Sequence, residues 1–185
     1  MKEQVEIWKR QSSREIADCR VFKVREDFCK RESDGVEHSF FVIENPDWVN
    51  VVALTKDEMV VMIKQFRHGI EEIILEIPGG MIDENESPEA AGRRELLEET
   101  GYSAREMFYL GKSRPNPALQ NNWCHHFLAL DCEQTNEAKF DEHESAVTKL
   151  LPLLVIPDLI LTGEIAHSLA VAAFQYFSLQ YPRIK

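Results

Sequence analysis

The stretch Ser87-Pro-Glu-Ala-Ala-Gly-Arg-Arg-Glu-Leu-Leu-Glu-Glu-Thr-Gly101 constrains this chain more tightly than any other, because it carries its own start and stop signals. The Ser87 hydroxyl can cap the free N–H groups of a first helical turn, Pro88 suits the first helical position, and Glu89 meets the positive end of the helix dipole. Gly101 supplies the left-handed stop. On the helix so predicted, Glu95, Glu98 and Glu99 fall at i, i+3 and i+4, on one face, while Leu96 and Leu97 point elsewhere and can anchor it. Three clustered carboxylates repel one another unless cations neutralise them. Arg94, four residues before Glu98, can offset one charge. That leaves Glu95 and Glu99 as a pair of hard oxygen donors suited to Mg²⁺ or Mn²⁺. Taken alone, this acidic run also fits a solvated helix face. Its surroundings favour a site: Ile77-Pro-Gly-Gly80 is an abrupt turn where carbonyls can face a metal, and Glu86 sits just before the cap.

The rest of the pattern predicts what the helix packs against. Residues 3–9, 20–26 and 38–44 read as strands separated by charged turns, a small antiparallel sheet. After Glu44-Asn-Pro-Asp47 come two β-rich runs, Val49–Leu54 and Met59–Phe66, around a Lys56-Asp57 turn. Further strands are expected near 106–112, 123–130 and 146–151, and a last helix near 164–179. In that helix Ile165, Leu169, Ala173 and Phe177, beside Ala166, Ala170 and Phe174, form a wide apolar stripe of the kind that packs into a core. Strands and helices interleave without strict βαβ alternation, so the expected class is α/β, a mixed sheet between helices. The division expected is a β segment at 1–45 and a main domain at 46–185.

Charge narrows the partners. With 21 Lys and Arg against 32 Asp and Glu in 185 residues, the net charge is −11. That disfavours nucleic acid, whose binding relies on basic residues meeting phosphates. A small phosphorylated substrate stays open, because a metal ion reverses the local field. Cys19, Cys29, Cys124 and Cys132 form no CxxC pair and read as reduced thiols packed as small apolar groups. The first residues carry no apolar run before a cleavage site, and the most apolar stretch, Leu150–Leu161, is interrupted by Pro152, Pro157 and Asp158 and is too short to span a bilayer. No membrane partner is expected, and the cytoplasm is the expected location.

At Gly80, Glu86, Arg94, Glu95, Leu96, Glu98, Glu99 and Gly101 the chain resembles the Nudix hydrolases, whose box reads G-x5-E-x7-R-E-U-x-E-E-x-G-U with U a bulky apolar residue; Tyr102 at the final U is a mild departure. The resemblance implies an α/β/α sandwich and Mg²⁺-dependent hydrolysis of a nucleoside diphosphate linked to another group. It also implies roles: Glu95 and Glu99 bind metal directly, Glu98 joins through a further ion or water, and the Gly79 carbonyl adds a backbone ligand. Arg94 and Glu86 would orient these carboxylates.

Upstream, Gln65-Phe-Arg-His68 and Glu76-Ile-Pro-Gly-Gly80 look like the ADP-ribose and nucleoside diphosphate sugar branch. There a proline about fifteen residues past the box goes with ADP-ribose, and Pro117 stands at that distance from Tyr102. Asp47–Val52 and Asn116–Asn122 look closer to bacterial nucleoside diphosphate sugar hydrolases. The resemblance covers roughly residues 40–180. The substrate contacts it suggests are Gln65, Arg67, Glu76 and Pro117, with the Arg67 guanidinium suited to the diphosphate or terminal ribose. Trp48 either stacks on the base or is a half-buried aromatic at a strand start. For the general base, the loop Lys139-Phe-Asp-Glu-His-Glu-Ser145 offers Asp141, Glu142, His143 and Glu144, with Glu142 first and Glu144 next; any of them can instead be merely solvated. The alternatives to ADP-ribose or nucleotide-sugar hydrolysis are a sensor that binds without cleaving, or a pyrophosphatase for NADH or a dinucleoside polyphosphate. Three strands cannot bury both faces alone, and similar proteins use such a segment between subunits. A homodimer is therefore expected, with Trp8, Phe22 and Val24 as contacts.

Overall fold

The computed structural model describes residues 5–139 and 146–184, which fall into two compact units. One joins the N-terminal residues up to Pro46 with the segment Arg114–Asn122; the other holds Asp47–Ser113 and the chain from Trp123 on.

The smaller unit is an antiparallel three-stranded sheet of β1 (Trp8–Asp18), β2 (Lys23–Arg31) and β3 (Glu37–Glu44), in that order. β1 starts later and runs much longer than the sequence predicted, because Lys9-Arg-Gln-Ser-Ser-Arg-Glu15 shows no apolar alternation. Cross-strand charge supports it instead: Arg14 Nε lies 2.7 Å from Glu26 Oε2, Lys23 Nζ lies 3.0 Å from Glu15, and Ser13 donates to the buried Asp27. Asp27 also takes Arg25 Nε at 2.9 Å. In the same unit Ile43 N–H donates to Leu119 O at 2.7 Å, which ties the Arg114–Asn122 segment to β3.

The larger unit contains β4 (Trp48–Leu54), β5 (Met59–Arg67), β6 (Glu72–Glu76), β7 (Gly79–Met81), α1 (Pro88–Thr100), β8 (Tyr102–Ser103), β9 (Glu106–Ser113), β10 (Cys124–Leu130), β11 (Glu133–Gln134), β12 (Ala146–Pro152), α2 (Ile156–Leu161) and α3 (Ser168–Ile184). Its mixed sheet runs β12-β5-β4-β10-β9, with β4 and β10 parallel. Period-two alternation divides β4 between two cores. Val49, Val51 and Ala53 pack with Ala91 and Leu96 of α1, whereas Val52 and Leu54 pack with Ala170, Ala173, Phe174 and Phe177 of α3. Burial on both faces makes this unit an α/β/α sandwich with a mixed sheet.

α3 begins at Ser168, later than the apolar stripe suggested. Ile165 is buried in that stripe's core from the turn before the helix, where its N–H donates to Leu159 O at 2.9 Å. The Leu150–Leu161 run divides between β12, a 3₁₀ turn and α2. Among the described residues no helix is long and apolar enough to cross a membrane. All four cysteines are free, three of them buried, and burial pushes the Cys124 and Cys132 thiols up to about 12.

One irregularity positions the site. β4 and β5 pair only at Ala53–Val61 and Leu54–Val60. Past those pairs the strands part: β5 takes β6 as its neighbour, β4 takes β7, and Val51 N–H donates to Pro78 O at 2.9 Å. The turn from Glu76 to Met81 is thereby laid against β4 and beside α1.

Candidate active site

α1 forms as its terminal signals predict. Ser87 Oγ accepts from Ala90 N–H at 3.2 Å, and Gly101, at φ 75°, donates its N–H to Leu97 O at 2.8 Å. Leu96 turns into the core, which leaves Glu95, Glu98 and Glu99 toward the Gly79–Gly80 turn and its surroundings. The approach is close. Gly79 N–H donates to Glu99 Oε2 at 2.9 Å. A Cβ on Gly80 would lie 2.3 Å from Glu95 Oε1, and one on Gly79 would lie 2.2 Å from the Val49 carbonyl oxygen. Both positions have room only for hydrogen.

Arg94 organises the acids. Its Nε and Nη2 donate to the two oxygens of Glu86 at 3.0 and 2.9 Å; its Nη1 donates to Glu95 at 2.8 Å and to Glu98 at 3.2 Å; Nη2 also reaches the Met81 carbonyl at 3.0 Å. Spacing along the helix pairs Arg94 with Glu98 only. The forked guanidinium, with five donors in one plane, serves several carboxylates at once. Hydrogen bonds from Arg94 hold the Glu86 carboxyl below its ordinary pKa, and Glu86 in turn holds the guanidinium proton above its ordinary range. Glu99 is buried, Glu95 nearly so, and the Glu98 side chain is half exposed. One guanidinium thus serves Glu86, Glu95 and Glu98 with Glu99 on the next turn, an excess of negative charge walled on one side by backbone. Among the described residues no group of three or more His, Cys, Asp or Glu side chains is placed so that it could hold a metal ion by itself. The donors are nevertheless all hard oxygens, a set that fits a hydrated divalent cation and not a thiophilic one.

A second cluster lies where β5 and β6 meet the start of α3. Arg67 Nε sits 3.0 and 3.2 Å from the two oxygens of Glu76, and its Nη2 also donates to that carboxylate, which is only 2% exposed. His167 Nδ1 lies 3.4 Å from Glu76 Oε1. No local signal marked His167; it is distant in sequence, and only the seating of α3 brings it there.

The remaining expected residues are more scattered. Gln65 sits on β5 beside this cluster, paired with Ile74 and Ala146, and its Oε1 is buried with no hydrogen-bond partner among the described residues. Trp48 is half-buried at the start of β4, paired with Cys124 and Met81. Pro117 belongs to the other compact unit. Asp141, Glu142, His143 and Glu144 lie outside the described residues.

The Nudix domain family matches residues 45–172, so the chain belongs to the Nudix family, whose members generally use divalent metal ions, and its class is that of the Nudix pyrophosphohydrolases. It is 31% identical to the ADP-ribose pyrophosphatase of Bacillus subtilis (strain 168) over 75% of this chain and 76% of that one. It is 33% identical to the methanol dehydrogenase activator of Bacillus methanolicus, again over 75% and 76%. The GDP-mannose pyrophosphatase of Citrobacter koseri is 29% identical over 81% of this chain and 83% of its own. A crystal structure of an ADP compounds hydrolase superposes with a TM-score of 0.85 at 23% identity, covering 98% of both chains, and so shares the fold.

Proposed function

We propose that this protein hydrolyses the pyrophosphate bond of ADP-ribose or a related nucleoside diphosphate sugar, with Mg²⁺ or Mn²⁺, giving a nucleoside monophosphate and a sugar phosphate. The observation that carries the reading is the fit of the Gly79–Gly80 turn against α1, where two glycines let backbone and the Glu95 and Glu99 carboxylates share one small volume.

Glu95, Glu98, Glu99 and the Gly79 carbonyl would hold the cation, which supplies charge neutralisation and Lewis acidity at the pyrophosphate. Arg94, braced by Glu86, orients Glu95 and Glu98, and the Gly79 N–H orients Glu99. Arg67, itself oriented by Glu76, receives the diphosphate or terminal ribose; Gln65 and Trp48 complete the substrate contacts. Glu142, with Glu144 as the second candidate, takes the proton from the attacking water. The small N-terminal sheet pairs two copies in a homodimer through Trp8, Phe22 and Val24, and the enzyme works in the cytoplasm; a monomer in light scattering at micromolar concentration would refute the pairing.

The test is product analysis on ADP-ribose, GDP-mannose, UDP-glucose, ADP-glucose, NADH and diadenosine polyphosphates, each with Mg²⁺ and with EDTA, beside Glu99→Gln as control. Release of AMP and ribose 5-phosphate, dependent on metal and lost in a folded Glu99→Gln, is the expected result. A hexose-linked leader places the enzyme among the broader sugar hydrolases. Binding of these nucleotides with Mg²⁺ present and no turnover refutes the enzymatic reading.

A further inference from the structure

We propose that residues 135–139 form a positioning strap: their backbone N–H groups hold the acid-bearing last turn of α1 and fix the chain just before it supplies the general base. This rests on the base being Glu142 or Glu144, as proposed above.

The end of α1 needs outside support. The last four carbonyls of a helix lack partners within it, and here their negative pole lies beside the Glu98 and Glu99 carboxylates. The last turn carries no basic residue. The strap supplies donors instead. Lys139 N–H donates to the Glu98 carbonyl at 2.7 Å, and the Thr135 and Asn136 N–H groups donate to the Gly101 carbonyl at 2.9 and 3.1 Å. They come from a mostly exposed segment with no regular structure of its own, yet they meet a buried glycine. Two anchors deliver the segment. Cys132, buried in the core beneath α1, donates its N–H to Leu54 O at 2.9 Å, and β11 pairs with β8. The Ser103 and Thr135 hydroxyls then meet at 2.8 Å.

Gly101 does two separable things here. Its φ of 75° ends the helix, a conformation that Asn also adopts at little cost. Its missing Cβ admits the strap: a Cβ would lie 2.1 Å from Asn136 O, 2.9 Å from the Asn136 carbonyl carbon and 3.2 Å from Ala138 N, all of them backbone atoms. The first role tolerates Asn and the second does not. Lys139 stands three residues before Glu142, and three residues of chain reach at most about 11 Å. A Lys139 held on the Glu98 carbonyl therefore ties the base to the turn that carries the metal-binding acids.

Hydrogen exchange and kinetics of the full-length protein test the strap, with ADP-ribose and Mg²⁺ as the assay. In the parent, the N–H groups of Thr135, Asn136 and Lys139 should be protected although their segment is exposed. Gly101→Asn should speed their exchange by about tenfold or more while those of Leu96 and Leu97 stay within about threefold. It should lower kcat by about 10- to 100-fold with KM within about threefold of the parent, the mark of a displaced catalytic group. Added to the base variant, Glu142→Gln or Glu144→Gln, it should cost little more, because the base is already gone. Asn136→Pro deletes one donor without touching α1 and should lower kcat in the same way; it decides the matter if Gly101→Asn does not fold. Strap N–H groups that exchange freely in the parent overturn the proposal. So does an unchanged kcat in a variant whose strap is released, and so do losses that multiply. If neither Glu142→Gln nor Glu144→Gln lowers kcat, the reading of the base has failed and the strap falls at its premise.

Discussion

Gly80→Ala should separate folding from catalysis. The added Cβ would lie 2.3 Å from Glu95 Oε1, 2.6 Å from Cδ and 2.9 Å from Oε2. Ordinary contact begins at 3.4 Å, so the carboxylate must retreat by about 1 Å or more. All three atoms are the far end of a flexible side chain, and Gly80 has no left-handed φ. The fold should therefore lose only about 1–2 kcal/mol: alanine gains about 0.4–1 kcal/mol by restricting the unfolded chain, against about 1.5–3 kcal/mol if the hydrogen bond from Arg94 to Glu95 is given up. Catalysis should lose far more, since a displacement of about 1 Å can cost roughly 10²-fold. Gly79→Ala is the contrasting perturbation. Its Cβ would meet the Val49 backbone oxygen at 2.2 Å, an atom locked in the sheet, so this variant should be destabilised by several kcal/mol, on the order of other severe steric substitutions. Thermal melts followed by circular dichroism, beside steady-state hydrolysis of ADP-ribose with Mg²⁺, measure both quantities. A Gly80→Ala protein with kcat/KM within about threefold of the parent would refute the placing of Glu95 at the reaction centre.

Two further outcomes are expected. Glu142→Gln should lower kcat by about 10²- to 10⁴-fold, the usual contribution of a general base; if only Glu144→Gln shows that loss, Glu144 is the base. His126 is wholly buried on β10, with Nε2 2.9 Å from Ser113 Oγ, and burial lowers its pKa from 6.5 to about 4. Between those values the unfolded chain takes up a proton that the folded one refuses. Stability should therefore fall as pH drops from about 6.5 to about 4, by about 3 kcal/mol at most, and level off below. Urea melts across that range check it, and a His126→Gln protein with the same slope would refute the assignment.

Much of this could be read from local pattern. Ser87, Pro88 and Gly101 announce α1 because capping is a contest among neighbouring backbone groups, decided within a few residues. The core strands of the mixed sheet were legible because Val, Ile and Leu on two buried faces leave dense apolar runs. β1 was not, because its pairing is supported by Arg14, Glu15 and Ser13 against partners on β2, and cross-strand charge leaves no period in one strand. The start of α3 is hidden for a related reason: Ile165 continues the apolar stripe from a turn, and periodicity does not distinguish the two.

By itself, the sequence determined the family, the helix and the three acids on one of its faces, since all of these depend on spacing within about two dozen residues. Only the tertiary structure decided how the acids are used. The parting of β4 from β5 brings Gly79 onto Glu99, one guanidinium fork gathers Glu86, Glu95 and Glu98, and the seating of α3 sets His167 against Glu76. These contacts are selected by packing across the sheet and between its two faces, where separation along the chain carries no information about distance in space.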